Sequence, residues 1–184
     1  METKVQVHIR KAGTQDVPAI AKVHVDSWRT SYVGIVATEF LVSLSYKESE
    51  RMWRNGLASA TNPVSLFVVE RPVGSVVGFA AAGPEREHDA IYKGEIYALY
   101  LLQNCQRQGI GSALFRACVR ELAYSGFSSL LVWVLKTNPA RRFYEAMGGK
   151  VLREREIPIG NERLMEVAYG WADTRALVES STSK

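Results

Sequence analysis

Residues 94–102, GEIYALYLL, run with one charged side chain into CQRQGIGSALF at 105–115. The apolar run reads as a buried strand, and the segment from Gly109 to 125 reads as an amphipathic helix. In that helix Ile110, Leu114, Cys118 and Leu122 form an i+4 row beside Ala113 and Ala117. A buried strand passing through a short glycine-bearing turn into such a helix requires a sheet with the helix packed back against it. Two readings of Gly109 and Gly111 stand at this point. They ease a tight turn, or they bare the backbone for a charged ligand. The first N–H groups of a helix lack intrahelical partners, and its N-terminus is the positive end of the macrodipole. Two missing side chains let phosphate oxygens reach those N–H groups, and Arg107 adds a charged donor.

Two common phosphate motifs fail on residues. The mononucleotide loop requires a lysine directly after its second glycine, and none follows here. The dinucleotide fingerprint requires a third glycine where this chain has Leu114, and the junction comes late, after four strands.

The rest of the chain supplies the remaining layers. VQVHIR (5–10) alternates as a first strand. A helix follows, with Thr14 or Asp16 as cap and Pro18 in its first turn. It places Val17, Ile20, Ala21, His24 and Trp28 on one face. Residues 38–58 read as a second helix with Phe40, Leu41, Leu44, Met52, Trp53 and Leu57 apolar. SLFVVE and SVVGFAAAG are strands joined by RPVG as a hairpin, and SLLVWVL is another buried strand. NPARRFYEAMGG reads as a short helix with Asn138 as cap, Pro139 first and Gly148 after its end, while Gly126 ends the helix before it. VLREREIPI and RLMEVAYGW close the chain as strands. The order β, α, α, β, β, β, α, β, α, β, β predicts one α/β domain over 1–172. Its mixed, mostly antiparallel sheet has about seven strands and about four flanking helices, followed by a polar tail at 173–184.

Charge and cysteine content narrow the function classes. The net charge is +4, and Lys136, Arg141, Arg142, Lys150, Arg153 and Arg155 against Glu145 and Glu154 give 136–155 the same excess. Such a segment suits an anionic ligand or is simply a solvated face. A nucleic-acid binder would interleave basic residues with exposed aromatics, and no such interleaving is present. Cys105 and Cys118 lack metal spacing and are read as free thiols, and no metal site is expected. The opening METKVQVHIRKAG has no apolar stretch of signal-peptide length, and the apolar runs 96–102 and 130–135 are too short to span a bilayer. A cytoplasmic location is the default expectation.

QRQGIGSAL resembles the Q/R-x-x-G-x-G/A signature of the GNAT family of N-acetyltransferases, through Gln106, Gly109 and Gly111. GEIYALYL just before it and NPARRFYEAMGG about thirty residues after it resemble the family's neighbouring motifs, and the strand order is similar. The resemblance covers roughly 5–170 and is clearest over 93–150. It implies a sheet splayed between its fourth and fifth strands and acetyl-CoA as cosubstrate, with no metal. The pyrophosphate is then held by the backbone of 107–112, that is Arg107, Gln108, Gly109, Ile110, Gly111 and Ser112, with Gln106 beside them. The pantetheine arm pairs with backbone around Leu99, Tyr100 and Leu101. The basic segment after 136 is inferred to face the adenosine phosphates. The family's usual pattern has an Asn seven residues before the Tyr; here Asn138 precedes Tyr144 by six. Asn138 therefore has two open roles, cofactor contact and helix cap.

The implied reaction is direct attack of a primary amine on the thioester. The amine must lose a proton, since a lysine-like amine has a pKa of about 10.4. A backbone N–H near Leu101 is the implied donor to the developing oxyanion. Tyr144, a phenol neutral at pH 7, is the candidate donor to the leaving thiolate, against a role in packing beside Phe143. Glu95, placed by alternation on the face of Tyr97 and Leu99, is the candidate base, against a strand-end charge in water. His24 is a weaker base candidate that reads better as a packed histidine. Trp28, Tyr32 and Trp53 on the N-terminal helices, and Tyr97 on the strand, are candidates to enclose the acceptor amine or to fill the core. The acceptor is a small-molecule amine or a protein amine, neither nucleic acid nor membrane is a partner, and a homodimer is left open. The competing functional reading is a CoA-binding regulator without turnover.

Overall fold

The computed structural model describes residues 6–59, 64–72 and 74–179. Seven strands form one sheet in the order β1-β2-β3-β4-β5-β7-β6. They are β1 (His8–Lys11), β2 (Ser65–Glu70), β3 (Val76–Pro84), β4 (Gly94–Leu101), β5 (Leu130–Leu135), β6 (Lys150–Ile159) and β7 (Glu162–Trp171). All neighbours are antiparallel except β4 and β5. A parallel pair requires a crossover, and α4 (Ile110–Tyr124) provides it. Helices α1 (Val17–Ser31), α2 (Thr38–Ser43) and α3 (Tyr46–Ala58) pack on one face; α4, α5 (Arg141–Ala146) and α6 (Arg175–Glu179) pack on the other. The expected mixed sheet with helices on both faces is therefore present.

The i+4 row of α4 explains its position. Ile110, Leu114, Cys118 and Leu122 are all buried against the sheet, whereas Ala113 is exposed. Burying a Leu or Ile side chain contributes about 1.5–3 kcal/mol, so this row fixes the helix on β2, β3 and β4. Gly126, at φ +87°, ends the helix with Phe127 N–H bonded back to the Leu122 carbonyl at 2.9 Å.

Four local expectations change. Residues 38–58 form two helices because Leu44 and Ser45 adopt extended backbone between them. The Ser45 hydroxyl accepts the Glu48 N–H at 3.3 Å, a Ser-x-x-Glu cap that starts α3. The helix carrying Tyr144 begins at Arg141, not Pro139, and Asn138 caps the turn before it by accepting the Ala140 N–H at 2.9 Å. Within the segment expected as a polar tail, 175–179 form α6, which sets Leu177 and Val178 against the main core. The first strand runs His8–Lys11, starting after residues 6 and 7 and continuing one residue past Arg10, because its partners on β2 are Glu70 to Phe67. Val5 of that strand, Val73 of the RPVG turn and 180–184 of the tail lie outside the described residues.

Candidate active site

The β4–β5 ladder has only three rungs: Gly94↔Leu130, Glu95↔Leu131 and Ile96↔Val132. Both strands continue beyond it, β4 to Leu101 and β5 to Leu135, without pairing to each other. The cause lies at Tyr97. On β3, Ala82 faces Ile96 and Ala81 faces Ala98, so Tyr97 is one extra residue, a β-bulge that bends β4 away from β5. The bulge also resets the alternation. Ile96, Leu99 and Leu101 pack in the α4 core, whereas Ala98 and Tyr100 pack toward α1. Glu95 and Tyr97 share a face, as expected, since Arg86 contacts both; Leu99 is on the opposite face, which corrects the simple alternation.

The opening exposes backbone. Leu102 N–H bonds to the Val77 carbonyl of β3 at 2.9 Å, so by alternation the backbone groups of Leu101 and Leu99 face the gap, and those of Tyr100 face β3. The Leu101 carbonyl accepts from Gln106 Nε2 at 3.1 Å and from Ser27 Oγ at 3.4 Å. Gln106 thus braces the glycine turn against the strand end. Tyr100 differs from the other residues proposed for the cofactor. Its hydroxyl accepts from Trp28 Nε1 at 3.0 Å on the α1 side.

At the end of β4 a 3-10 turn, Gln103–Cys105, leads into the glycine turn. Arg107 and Gly109 are left-handed, at φ +61° and +77°. Left-handed residues interspersed in a turn aim successive N–H groups to one side, a concavity suited to anions. The first intrahelical bond, Ala113 N–H to the Gly109 carbonyl, leaves the N–H groups of Ile110, Gly111 and Ser112 without helical partners. The first turn of α4 contains no acidic residue. Gly109 is required by its φ. Gly111 is not: a Cβ there would meet Leu101 and Phe143 at 3.6 Å, ordinary contact. Open space lies at Gly109, where a Cβ would meet nothing within 4 Å, and a phosphate group held on the bare backbone fits there.

Tyr144 is buried between Phe143 and Tyr169, within electrostatic reach of Tyr32 and Tyr100 on one side and Cys118 on the other. Burial raises its phenol above the ordinary value, as it does for Tyr32 and Tyr100, so all three are neutral at pH 7. Asn138, also buried, contacts the Tyr32 hydroxyl. Trp28 stacks on Tyr32 with ring centres 4.4 Å apart. Trp53 packs on Phe79 in the α1 core.

His24 behaves as a packed histidine. Its Nδ1 accepts from Trp53 Nε1 at 3.3 Å; indole N–H only donates, so that nitrogen is unprotonated. Ser49 Oγ lies 2.9 Å from the same atom, and burial pushes the imidazole pKa down to about 4. Cys118 is a core thiol that burial pushes up to about 12. Cys105 is buried as well, with Arg71 Nη2 3.1 Å from its sulfur. No helix of the described residues is long and apolar enough to cross a membrane, and no group of three or more potential metal ligands occurs among them.

The Glu95 carboxylate is 2% exposed and fully engaged. Arg86 Nη2 and Nε reach its two oxygens at 2.5 and 3.0 Å, and Arg86 N–H adds a third bond at 3.3 Å. The Tyr97 hydroxyl donates to the Pro84 carbonyl. The basic segment 136–155 does not form one patch. Lys136 pairs with Glu154 at 2.8 Å, and Arg153 with Asp89 at 2.7 Å. Arg155 pairs with Glu166 at 2.5 Å and with Glu87. Alternation on β6 turns Arg153 and Arg155 onto the Trp133 ring, at 5.4 and 3.8 Å from its centre. The residues Arg86, Trp133 and Glu166 were not singled out from the sequence. They come from a loop and two strands, and only the i, i+2 spacing of Arg153 and Arg155 signalled a shared face.

This geometry has close counterparts in other proteins. Residues 25–149 match the sequence profile of the Acetyltransferase (GNAT) family. The chain is 44% identical over 171 residues to the uncharacterized N-acetyltransferase YuaI of Bacillus subtilis (strain 168), covering 93% of this chain and 96% of the relative. Two more distant relatives are the spermidine N(1)-acetyltransferase of Thermoplasma acidophilum and the phosphinothricin N-acetyltransferase of Streptomyces viridochromogenes. The first is 24% identical, with 89% of this chain and 98% of the relative covered. The second is 27% identical, with 77% and 73% covered. The crystal structure of the PaiA N-acetyltransferase from Thermoplasma acidophilum in complex with coenzyme A superposes with a TM-score of 0.68 at 22% identity, covering 88% of this chain and 98% of that one. With its profile match spanning the glycine turn, the splayed strands and Tyr144, this chain belongs to the acetyltransferase (GNAT) family.

Proposed function

We propose that the protein transfers an acetyl group from acetyl-CoA to a primary amine by direct attack on the thioester. The observation that carries this reading is the three-rung β4–β5 ladder, which opens between the bare N-terminus of α4 and the Tyr144 phenol. Bound acetyl-CoA supplies an acetyl group activated as a thioester.

The chain's own residues do the rest. Backbone N–H groups over 107–112 bind the pyrophosphate oxygens, with Arg107 as an exposed cation beside them. Gap-facing backbone at Leu99 and Leu101 hydrogen-bonds the amide-bearing arm, and a gap-facing N–H of Leu101 donates to the acetyl oxygen. Tyr144, kept neutral by burial, gives its proton to the departing sulfur, while the protons lost by the attacking amine pass to solvent, from which Tyr144 is reprotonated. Asn138 orders the turn before α5 and so sets where Tyr144 stands.

For Glu95 one observation favours a second reading. Three bonds from Arg86 occupy its oxygens, so it anchors Arg86 rather than acting as an open base. Trp28 and Tyr32 are committed to each other and to Tyr100, and they wall the acceptor side without enclosing an amine between them.

Two measurements test the reading together. Calorimetry should detect uptake of coenzyme A, and thiol release from acetyl-CoA should accelerate with a primary amine. Absence of coenzyme A uptake overturns the proposal. Uptake without turnover on any amine favours the non-catalytic CoA-binding regulator.

A further inference from the structure

Tyr97 and Trp133 are the first residues past the last rung of the β4–β5 ladder, one on each strand. Each carries an arginine on its ring: the Arg86 guanidinium is 4.7 Å from the Tyr97 ring centre, and that of Arg155 is 3.8 Å from the Trp133 ring centre. Each arginine is also fixed from below by a carboxylate on a neighbouring strand position. Glu95 holds Arg86, and Glu166 holds Arg155 at 2.5 Å. Both carboxylates are buried, at 2% and 7% exposure, while the arginine side chains remain 50% and 30% exposed. The mouth of the opening is therefore flanked by two guanidinium groups set in place before any ligand arrives.

We propose that the amine accepted here also bears a carboxylate, and that Arg86 and Arg155 hold that carboxylate at the mouth of the opening. This rests on the acetyl-transfer reading above. Guanidinium is a planar fork matched to carboxylate, and its stacking on a ring fixes the plane in which its donors point. Arg86 Nη1 and Arg155 Nη2 make no hydrogen bond to the described residues, so each fork keeps donors for a ligand.

The groups that would recognise a polycation are already engaged. The Tyr97 and Trp133 rings carry guanidinium groups, and Glu95 and Glu166 are paired. Asp89 accepts from Arg153, Ile91 N–H and Tyr92 N–H, and Glu87 accepts from Arg155. A second ammonium group would meet Glu95 and Glu166 already paired with arginines, and would have only the half-exposed Glu87 and the backbone-bound Glu85 left to it. A carboxylate meets two ring-fixed guanidinium groups with unbonded donors, Arg86 Nη1 and Arg155 Nη2.

The test is acetyl-CoA-dependent thiol release with matched pairs: a panel of α-amino acids, the primary amides of the same amino acids, and spermidine. The acids should exceed their amides in kcat/KM by about tenfold or more. Arg155→Met should lower that acid-to-amide ratio about ten- to hundredfold, mainly through KM, and Arg155→Lys should restore part of it. Should Arg155→Met fail to fold with Glu166 left unpaired, Arg155→Met/Glu166→Gln keeps the site neutral and serves in its place. Arg54→Met, on the exposed face of α3, is the control and should keep the wild-type ratio. Preference for amides or spermidine, or a ratio unmoved by Arg155→Met, overturns the inference while leaving acetyl transfer standing. If coenzyme A binds but no amine turns over, calorimetry of the coenzyme A-loaded protein with acid against amide decides on the same terms. No uptake of coenzyme A overturns both readings.

Discussion

Arg86 spans the Glu95 carboxylate with Nη2 and Nε at 2.5 and 3.0 Å, and the carboxylate is buried while the guanidinium is half exposed. The pair is asymmetric. Losing Arg86 strands a charge inside the sheet, whereas losing Glu95 leaves a cation that can rehydrate. Arg86→Leu should therefore lower stability by about 1–3 kcal/mol in urea unfolding, short of a fully buried pair because water screens the arginine. Arg86→Leu/Glu95→Gln should recover most of that loss. Under the anchoring reading Glu95→Gln lowers turnover by less than about tenfold, whereas loss of a general base costs about a hundredfold or more.

Gly111 and Gly109 meet different demands. A methyl there meets Leu101 and Phe143 at 3.6 Å and needs no positive φ. Gly111→Ala should unfold at the wild-type temperature or slightly above it, since alanine is the better helix former. Its affinity for coenzyme A, measured by calorimetry, should stay close to the wild-type value, because the methyl points at Leu101 and Phe143 and leaves the amides bare. Gly109→Glu adds left-handed strain of about 1–2 kcal/mol and a negative charge, and should abolish coenzyme A binding in a folded protein.

Tyr144→Phe removes only a hydroxyl. Turnover should drop by about ten- to ten-thousandfold with coenzyme A affinity nearly unchanged. Wild-type turnover in steady-state assays of this variant would assign Tyr144 to packing with Phe143 and Tyr169.

His24 makes stability depend on pH. Its pKa is pushed down to about 4 in the folded protein, below the ordinary 6.5. The unfolded chain therefore takes up a proton first as pH falls. The stabilisation is full above about pH 6.5, declines down to about pH 4 and is flat below that, for a loss of about 3 kcal/mol or less. His24→Gln should flatten that part of the stability–pH curve in urea titrations.

Much of the candidate site is legible in the sequence because its chemistry is local. The proposed phosphate cradle needs consecutive N–H groups, so Gln106, Gly109 and Gly111 are within six residues of one another. The α4 row and the Gly126 stop follow from a 3.6-residue period and a left-handed cap, both written in neighbouring residues. The Ser45 cap was also written there, as Ser-x-x-Glu, but continuous helical composition on both sides hid it.

The sequence by itself determined the order of the strands, the bare helix start and the buried phenol, because backbone propensity and hydrophobic period act over a few residues. Only the tertiary structure decided that Tyr97 is an extra residue, that Leu99 leaves the face of Glu95, and that Arg155 rests on Trp133. A bulge is defined by the partner strand's register, and the ion pairs join Arg86 to Glu95 and Arg155 to Glu87 and Glu166 across separate elements. Strand pairing and desolvation set those relationships, and neither exists until the sheet has closed.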